Sequence, residues 1–285
     1  MKIGVSSYSY QKYRLASGCS YAALCHMAKD TGFDTMEFIG LEGDPLAEAD
    51  EIKETCEQIG LEVSAYTVGA DFLTGDPADT VKNLYQAIEV ARRLGAPLVR
   101  HDVGYRLPEG MDWQDAIRQI ADPIRQVADY AADRGIRTCT ENHGFVFQDS
   151  ERMKFLMETV DHANYGWLVD IGNFLCVDED PEMAVAKAVP YAVHVHAKDF
   201  LYREAEQISP DGFFRSRGGN LLLGTVVGHG VVNVLRCVKT LYDGGYNGVL
   251  SLEFEGMEEN LPAVQAGYHY LRAVQEAITG VKVGK

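Results

Sequence analysis

The stretch VHVHAKD, residues 193–199, alternates apolar and polar side chains with a period of two. In a β-strand, side chains two residues apart share a face, so His194, His196 and Lys198 are expected to point one way. A strand that turns its small apolar residues away from a polar face is unusual for a sheet with one side in water. It suits a barrel strand, whose outer face is covered by helices and whose inner face ends in a site.

Eight short β-rich runs alternate with amphipathic segments along the whole chain. Most intervals between runs are about 27–39 residues, a normal length for one β/α unit. The interval after the seventh run is longer, and its surplus lies around residues 200–230. The pattern predicts a closed (β/α)8 TIM barrel, one domain over residues 1–285, rather than an open doubly wound sheet. The predicted strands begin near Ile3, Thr35, Glu62, Pro97, Ile136, Tyr165, Ala192 and Gly248.

The predicted helices follow the amphipathic segments, and several of them end at glycine, a common helix stop. They span Tyr21–Thr31, Asp50–Ile59, Asp79–Leu94, Trp113–Arg134, Ser150–Val160, Pro181–Val189, Val231–Gly244 and Asn260–Thr279.

The composition excludes several functional classes. The 285-residue chain has a net charge of −16, which repels phosphate backbones and anionic membranes, so neither is an expected partner. The N-terminal segment lacks the apolar run of a signal peptide, and the six cysteines form no CxxC pair. These features predict a cytoplasmic protein with reduced thiols. Assembly into a homo-oligomer stays open.

In a TIM barrel the active site forms where the C-terminal ends of the strands meet. Polar residues follow most of the predicted strands at that end. They are Glu37, His101, Asp102, Glu141, Asn142, His143, Asp170, His194, His196, Lys198, Glu253 and Glu255.

Four of these residues, Glu141, Asp170, His196 and Glu253, indicate a metal site. A carboxylate in the barrel mouth, flanked by apolar residues as in LSLEF (250–254), needs a partner to stay charged. Few lysines and arginines stand near the strand ends, so a divalent cation with one neutral imidazole is expected to satisfy the three carboxylates. Such an oxygen-rich shell favours Mn²⁺, with Mg²⁺, Co²⁺ and Zn²⁺ as alternatives. The competing interpretation is a set of ordinary polar residues at strand ends.

Six short segments carry a resemblance to a known family: GFDTME (32–37), ENH (141–143), LVDIGN (168–173), HVHAKD (194–199), GHG (228–230) and SLEFE (251–255). With them the chain resembles, over nearly its whole length, the xylose isomerase-like TIM-barrel superfamily. This group includes sugar-phosphate isomerases and epimerases, inosose dehydratases and endonuclease IV. The resemblance implies that Glu141, Asp170, His196 and Glu253 are metal ligands. It also implies that Glu141 and Glu253 transfer protons.

The resemblance implies a metal-dependent isomerase or epimerase of a small keto sugar, polyol or sugar phosphate, acting through a metal-stabilised enediolate. A dehydratase of the inosose or dehydroshikimate type is the alternative. Asn173 stands where ketose 3-epimerases of the group have histidine, and their arginine after the seventh strand has no match at the same spacing; both departures count against a free-ketose 3-epimerase. DNA repair and sugar binding without catalysis are weaker alternatives, the first because of the acidic charge.

The expected partner is a small-molecule carbohydrate, for which the sequence offers six candidate contacts. Lys198 is expected to form an ion pair or to contact substrate rather than form a Schiff base, and His194 to support His196 from below. Arg215 and Arg217 lie in the long segment after the seventh strand, which is either a substrate-binding or a solvent-exposed loop. The GHG backbone is a candidate anion cradle. The six candidate contacts are Glu37, His101, His143, Asn173, Lys198 and Arg217.

Overall fold

The computed structural model describes residues 1–280, so residues 281–285 of the predicted domain lie outside the described part. The strands are β1 (Lys2–Ser6), β2 (Thr35–Ile39), β3 (Glu62–Val68), β4 (Leu98–His101), β5 (Arg137–Glu141), β6 (Tyr165–Asp170), β7 (Ala192–Ala197), β8 (Asp199–Arg203), β9 (Phe214–Arg215), β10 (Leu221–Thr225) and β11 (Val249–Leu252).

Strands β1 to β7 and β11 form a closed parallel barrel in which β11 pairs with both β7 and β1. These eight strands coincide with the eight predicted ones. Helices pack around the barrel, and neighbouring helices contact one another from α2 to α9. The predicted (β/α)8 TIM barrel is therefore confirmed. The helices are α1 (Gln11–Ser17), α2 (Tyr21–Thr31), α3 (Pro45–Ile59), α4 (Pro77–Leu94), α5 (Trp113–Ala132), α6 (Ser150–Val160), α7 (Pro181–Ala188), α8 (Val234–Asp243) and α9 (Asn260–Thr279).

Helix boundaries follow local capping chemistry. The carboxylate of Asp44 accepts hydrogen bonds from the backbone N–H groups of Leu46 and Ala47, and Pro45 occupies the first turn, where no N–H is needed. Helix α3 therefore begins five residues before the predicted Asp50. Helix α1 was not predicted, because its seven residues are too few to show a clear period. Within residues 1–280, no helix is long and apolar enough to cross a bilayer.

The barrel interior contains a small apolar cluster beneath a polar layer. Leu98, Cys139 and Leu168 are buried together with Ala65, apart from the large core between helices and strands. Each of these residues lies two positions before a polar residue on the same strand face. The interior thus changes from apolar to polar toward the C-terminal end of the barrel. The polar residues are Thr67 on β3, Arg100 on β4, Glu141 on β5 and Asp170 on β6.

The long segment after β7 is an ordered antiparallel sheet and not the predicted loop. Strand β8 pairs with β10 along residues 199–203 and 221–225, and β10 also pairs with β9. The carboxylate of Asp199 accepts hydrogen bonds from the backbone N–H groups of Gly228 (2.9 Å), Gly230 (2.9 Å) and Val232 (3.0 Å). The expected GHG anion cradle is therefore occupied by the chain's own carboxylate.

Candidate active site

The four residues predicted to bind metal come together at the C-terminal end of the barrel. Glu141 ends β5, Asp170 ends β6, His196 lies on β7, and Glu253 directly follows β11. One ligand atom from each lies within 4.8 Å of the others, and all four residues are buried. Strand order explains this, because β5, β6, β7 and β11 are consecutive around the barrel and Asp170 is in register with His196.

His196 lies at the centre of this upper cluster. Its Nδ1 is 3.6 Å from both Glu141 Oε1 and Glu253 Oε2. Burial alone would lower the pKa of His196, but the surrounding carboxylates raise it well above its usual range. Desolvation, reinforced by neighbouring carboxylates, raises the pKa of Asp170 to about 7. The cluster therefore concentrates negative charge in a site without bulk water.

A lower cluster, Glu37, His194 and His196, lies beneath the first and shares its histidine. Glu37 is fully buried, and its Oε2 is hydrogen-bonded to His194 Nε2 at 2.7 Å. Its Oε1 is 2.7 Å from His196 Nε2, within ion-pair distance. Burial alone would raise the pKa of Glu37, but the two imidazoles hold it well below its usual range. Glu37 thus orients His196 from below, whereas the sequence indicated a substrate contact.

Arg100 is a site residue that the sequence analysis did not predict. Its Nη2 is 2.7 Å from Glu141 Oε2 and 2.9 Å from Asp102 Oδ1. Burial alone would lower the pKa of Arg100, but these carboxylates raise it. Strand parity could have found it: Arg100 and Asp102 share the inner face with Leu98, whereas His101 points to the other face.

Lys198 supplies the second buried cation. Its Nζ is 2.6 Å from Glu253 Oε2, 3.0 Å from Glu255 Oε2 and 3.3 Å from Asp170 Oδ2. The predicted ion-paired lysine is therefore present, although its partners are these carboxylates and not the adjacent Asp199. Through this contact Glu255, whose side chain is 33% exposed, lies beside the site.

The donor set of the upper cluster fits a divalent cation. Asp170 Oδ2 and His196 Nδ1 are buried and lack hydrogen-bond partners among the described residues. Two cations, Arg100 and Lys198, face more carboxylates than they can neutralise. Oxygen donors with one imidazole suit hard or borderline metals. The carboxylates that these two cations contact are Asp102, Glu141, Asp170, Glu253 and Glu255.

A cavity of about 360 Å³ opens above the upper cluster, and its walls include Arg100, His143 and Lys198. His143 Nδ1 is 3.1 Å from Asp102 Oδ1. Burial alone would lower the pKa of His143, but the contact with Asp102 raises it above its usual range. The predicted substrate contacts His143 and Lys198 thus face the space where a ligand can lie.

The structure places the other predicted substrate contacts differently. Asn173 Nδ2 donates to Glu141 Oε1 at 3.0 Å, and its Oδ1 accepts from Lys198 at 3.3 Å, so it bridges two site residues. His101 is fully buried, and desolvation lowers its pKa to about 4. Arg217 donates to Asp149 Oδ2 at 2.8 Å and to the carbonyl of Phe145. Arg217 therefore supports the loop after β5. The sequence alone could not distinguish this role from substrate binding.

This chain is similar to known proteins both in sequence and in structure. The family model for the xylose isomerase-like TIM barrel matches residues 25–274. An inosose dehydratase of Clostridium perfringens is 26% identical over 192 residues, covering 67% of this chain and 62% of that enzyme. An L-ribulose-5-phosphate 3-epimerase of Escherichia coli is 25% identical over 280 residues, covering 90% of this chain and 89% of that enzyme.

A solved structure agrees with the architecture. The IOLI protein, crystallised with a zinc atom, superposes with a TM-score of 0.78 over 99% of this chain and 100% of its own, at 14% identity. At this identity the similarity shows the fold alone. The two relatives in sequence described above are enzymes of two reaction types, a dehydratase and an epimerase.

Proposed function

The chain belongs to the xylose isomerase-like TIM-barrel family, and on that premise we propose that it is a metal-dependent lyase that removes water from a small polyhydroxylated ketone. The shared first step of both reaction types in this family is loss of a proton next to a carbonyl. The two reactions differ only after that proton has been lost. A lyase corresponds to the dehydratase alternative, whereas the sequence favoured an isomerase or epimerase.

The residues that would hold the metal are Glu141, Asp170, His196 and Glu253. A divalent cation bound there polarises a carbonyl and makes the neighbouring C–H more acidic. Glu253 is a base placed to take that proton, because it is 6% exposed and lines the cavity. Lys198 holds Glu253 in place through its 2.6 Å contact. Arg100 does the same for Glu141.

The observation that carries the dehydratase proposal is the Asp102–His143 pair on the cavity wall. Elimination breaks a C–O bond, and the departing hydroxyl needs a proton to leave as water. Asp102 engages Nδ1 of His143 and raises its pKa, which leaves Nε2 of this cavity-lining imidazole to donate a proton. Epimerisation needs only a base and an acid at one carbon. A third proton carrier at the cavity therefore favours loss of water.

Epimerisation is the second candidate, and the pair Glu141 and Glu253 favours it. Both carboxylates lie 3.6 Å from the same imidazole nitrogen, so two bases border one reaction space. One can remove a proton and the other can return one to the opposite face. In that case the partner is a keto sugar or sugar phosphate, as for the epimerase relative.

Turnover in D₂O with a panel of inososes, ketoses and ketose phosphates, with added Mn²⁺ or Mg²⁺, separates the two reactions. The proposal expects a product lighter by one water, with new ultraviolet absorbance from the conjugated carbonyl. In His143→Gln we expect elimination to fall about 10²–10⁴-fold while exchange of the substrate proton with solvent continues. Deuterium uptake without loss of mass, unaffected by His143→Gln, would instead show an epimerase or isomerase.

A further inference from the structure

A second cavity of about 470 Å³ lies beside the first and shares the residues His143, Lys198 and Glu255 with it. Its remaining walls come from the β5 and β6 loops and from the β8–β10 sheet. A pocket of a few hundred Å³ is enough for one small ligand. The two cavities together therefore offer more room than a single small sugar needs.

The second cavity has aromatic walls. Phe200 and Phe214, on β8 and β9, pack edge to face with ring centroids 5.8 Å apart. Phe145 also lines the space and is 43% exposed, although phenylalanine is usually buried. Aromatic side chains in this arrangement favour a planar apolar partner.

Phe145 lies at this wall with a backbone conformation that phenylalanine rarely adopts. Its φ is +66°, a left-handed conformation that a bulky side chain adopts only when its surroundings enforce it. Its N–H donates to Gln148 Oε1 at 2.6 Å, and its carbonyl accepts from Arg217. Gln148 is itself fixed by donating to the carbonyl of Asn173 at 2.7 Å. This backbone strain points to a function for the exposed ring.

Apart from His143, which both cavities share, the polar wall residues are already engaged, which disfavours a second sugar or a phosphate there. Both ends of the Gln148 amide are hydrogen-bonded, and Lys198 faces carboxylates. Arg215 donates to the carbonyl of Gly219 at 2.7 Å, and Glu255 adds negative charge to the same wall. At the aromatic end of this cavity, away from the shared His143 and Lys198, an anion would meet one exposed guanidinium.

We infer that the second cavity binds an aromatic substituent attached to the polyhydroxylated ketone, so that the substrate is an aryl-substituted keto sugar. The inference rests on the proposed function for the reacting half of the substrate. It adds a binding site for the other half, built by Phe145, Phe200 and Phe214.

Calorimetric titration with two non-reacting glycosides tests this site without turnover. Phenyl β-D-glucopyranoside is expected to bind at least about tenfold more tightly than methyl β-D-glucopyranoside, because only the phenyl ring reaches the aromatic walls. Phe214→Ala is expected to abolish that difference. The matched control is Phe213→Ala, at the neighbouring ring, which contacts Arg203 and lies outside the cavity.

Phe145→Gly is a second variant that keeps the test valid if Phe214→Ala disturbs β9, since glycine accepts the left-handed backbone. It too is expected to remove the preference for the phenyl glycoside, with an unchanged melting temperature or a higher one. Equal affinity of the wild type for both glycosides, or a preference that persists in both variants, would overturn the inference. A failed dehydratase assay with a retained phenyl preference would overturn only the proposed function.

Discussion

Two clusters of the same residue types lie one above the other in this barrel and share His196. In the lower cluster one carboxylate, Glu37, faces two imidazoles, and every member is fully or almost fully buried. In the upper cluster three carboxylates face the Nδ1 side of that histidine, and two of them, Glu141 and Glu253, border a cavity. The lower cluster pairs one carboxylate with two imidazoles, whereas the upper one gathers three carboxylates around a single imidazole nitrogen. The ratio of carboxylates to imidazoles thus distinguishes the lower cluster, which positions His196, from the upper cluster, which can bind a cation.

The largest expected effect lies in the upper cluster, at the base that faces the cavity. Glu253→Gln is expected to lower kcat about 10³-fold or more, because the amide cannot accept the substrate proton. The measurement is initial rate with the substrate found in the panel, alongside circular dichroism to check the fold. Glu57→Gln on the outer face of α3 is the matched control. Retained activity in Glu253→Gln would remove this residue as the base.

Metal removal is expected to change the free energy of unfolding by less than Glu253→Gln changes the activation free energy. A ligand at about a hundred times its Kd stabilises the native state by about 2.7 kcal/mol, so chelation with EDTA should lower Tm by several degrees. Differential scanning fluorimetry measures this, and adding back Mn²⁺ should restore Tm. The triple variant Glu141→Gln, Asp170→Asn and Glu253→Gln should show no metal-dependent shift. An equal shift in that variant would place the metal elsewhere.

A change in the lower cluster tests whether Glu37 acts through His196. Glu37→Gln is expected to weaken metal binding about 10–100-fold, because it removes the charge that orients and polarises the ligand histidine. Isothermal titration with Mn²⁺ gives the affinity, and the KM for substrate should stay near the wild-type value at saturating metal. A raised KM with unchanged metal affinity would support instead the substrate contact predicted from the sequence.

The smallest effect belongs to a carboxylate outside the barrel. Glu89 is paired with Arg134 and Arg92, and these contacts lower its pKa to about 2. Since the folded-state pKa is depressed, the pair stabilises the protein above the unfolded pKa of about 4.5 and loses that effect as pH falls through 2. In this exposed position, Glu89→Gln should cost less than about 1 kcal/mol at pH 7. Urea unfolding should show the difference shrink at acid pH.

The barrel and the position of the upper cluster could be predicted because each of the four residues stands at or next to the end of a predicted strand. His196 and Glu253 follow from the period-two patterns VHVHA and LSLEF alone. Arg100 was missed because its strand, LVRH, has only four residues and all of them are buried. So short a strand shows too little alternation to tell whether Arg100 or His101 faces the barrel interior.

The β8–β10 sheet could not be predicted for a different reason. Its strands are held by non-local contacts, since residues 199–203 pair with residues 221–225 and the carboxylate of Asp199 accepts from N–H groups about 30 residues away. Local composition around IleSerProAspGly (208–212) indicates only turns. The role of Arg217 depends on Phe145 and Asp149, 72 and 68 positions away. Such pairings are not visible in the sequence alone.

The hydrogen bonds to the Asp199 carboxylate suggest that the β8–β10 sheet can be replaced as a unit. The sheet leaves the barrel after Lys198 and is fastened back by three backbone N–H groups on one carboxylate. No side chain fits at Gly230, where a Cβ would lie 2.1 Å from Asp199 Oδ1. The Asp199 contact therefore restricts the residue at position 230, but it does not restrict the residues of the strands between. We expect that a graft which keeps Asp199, Gly228 and Gly230, and the contacts of Asp178 with Ser216 and Asn220, can replace the aromatic wall while the barrel and its lysine stay in place.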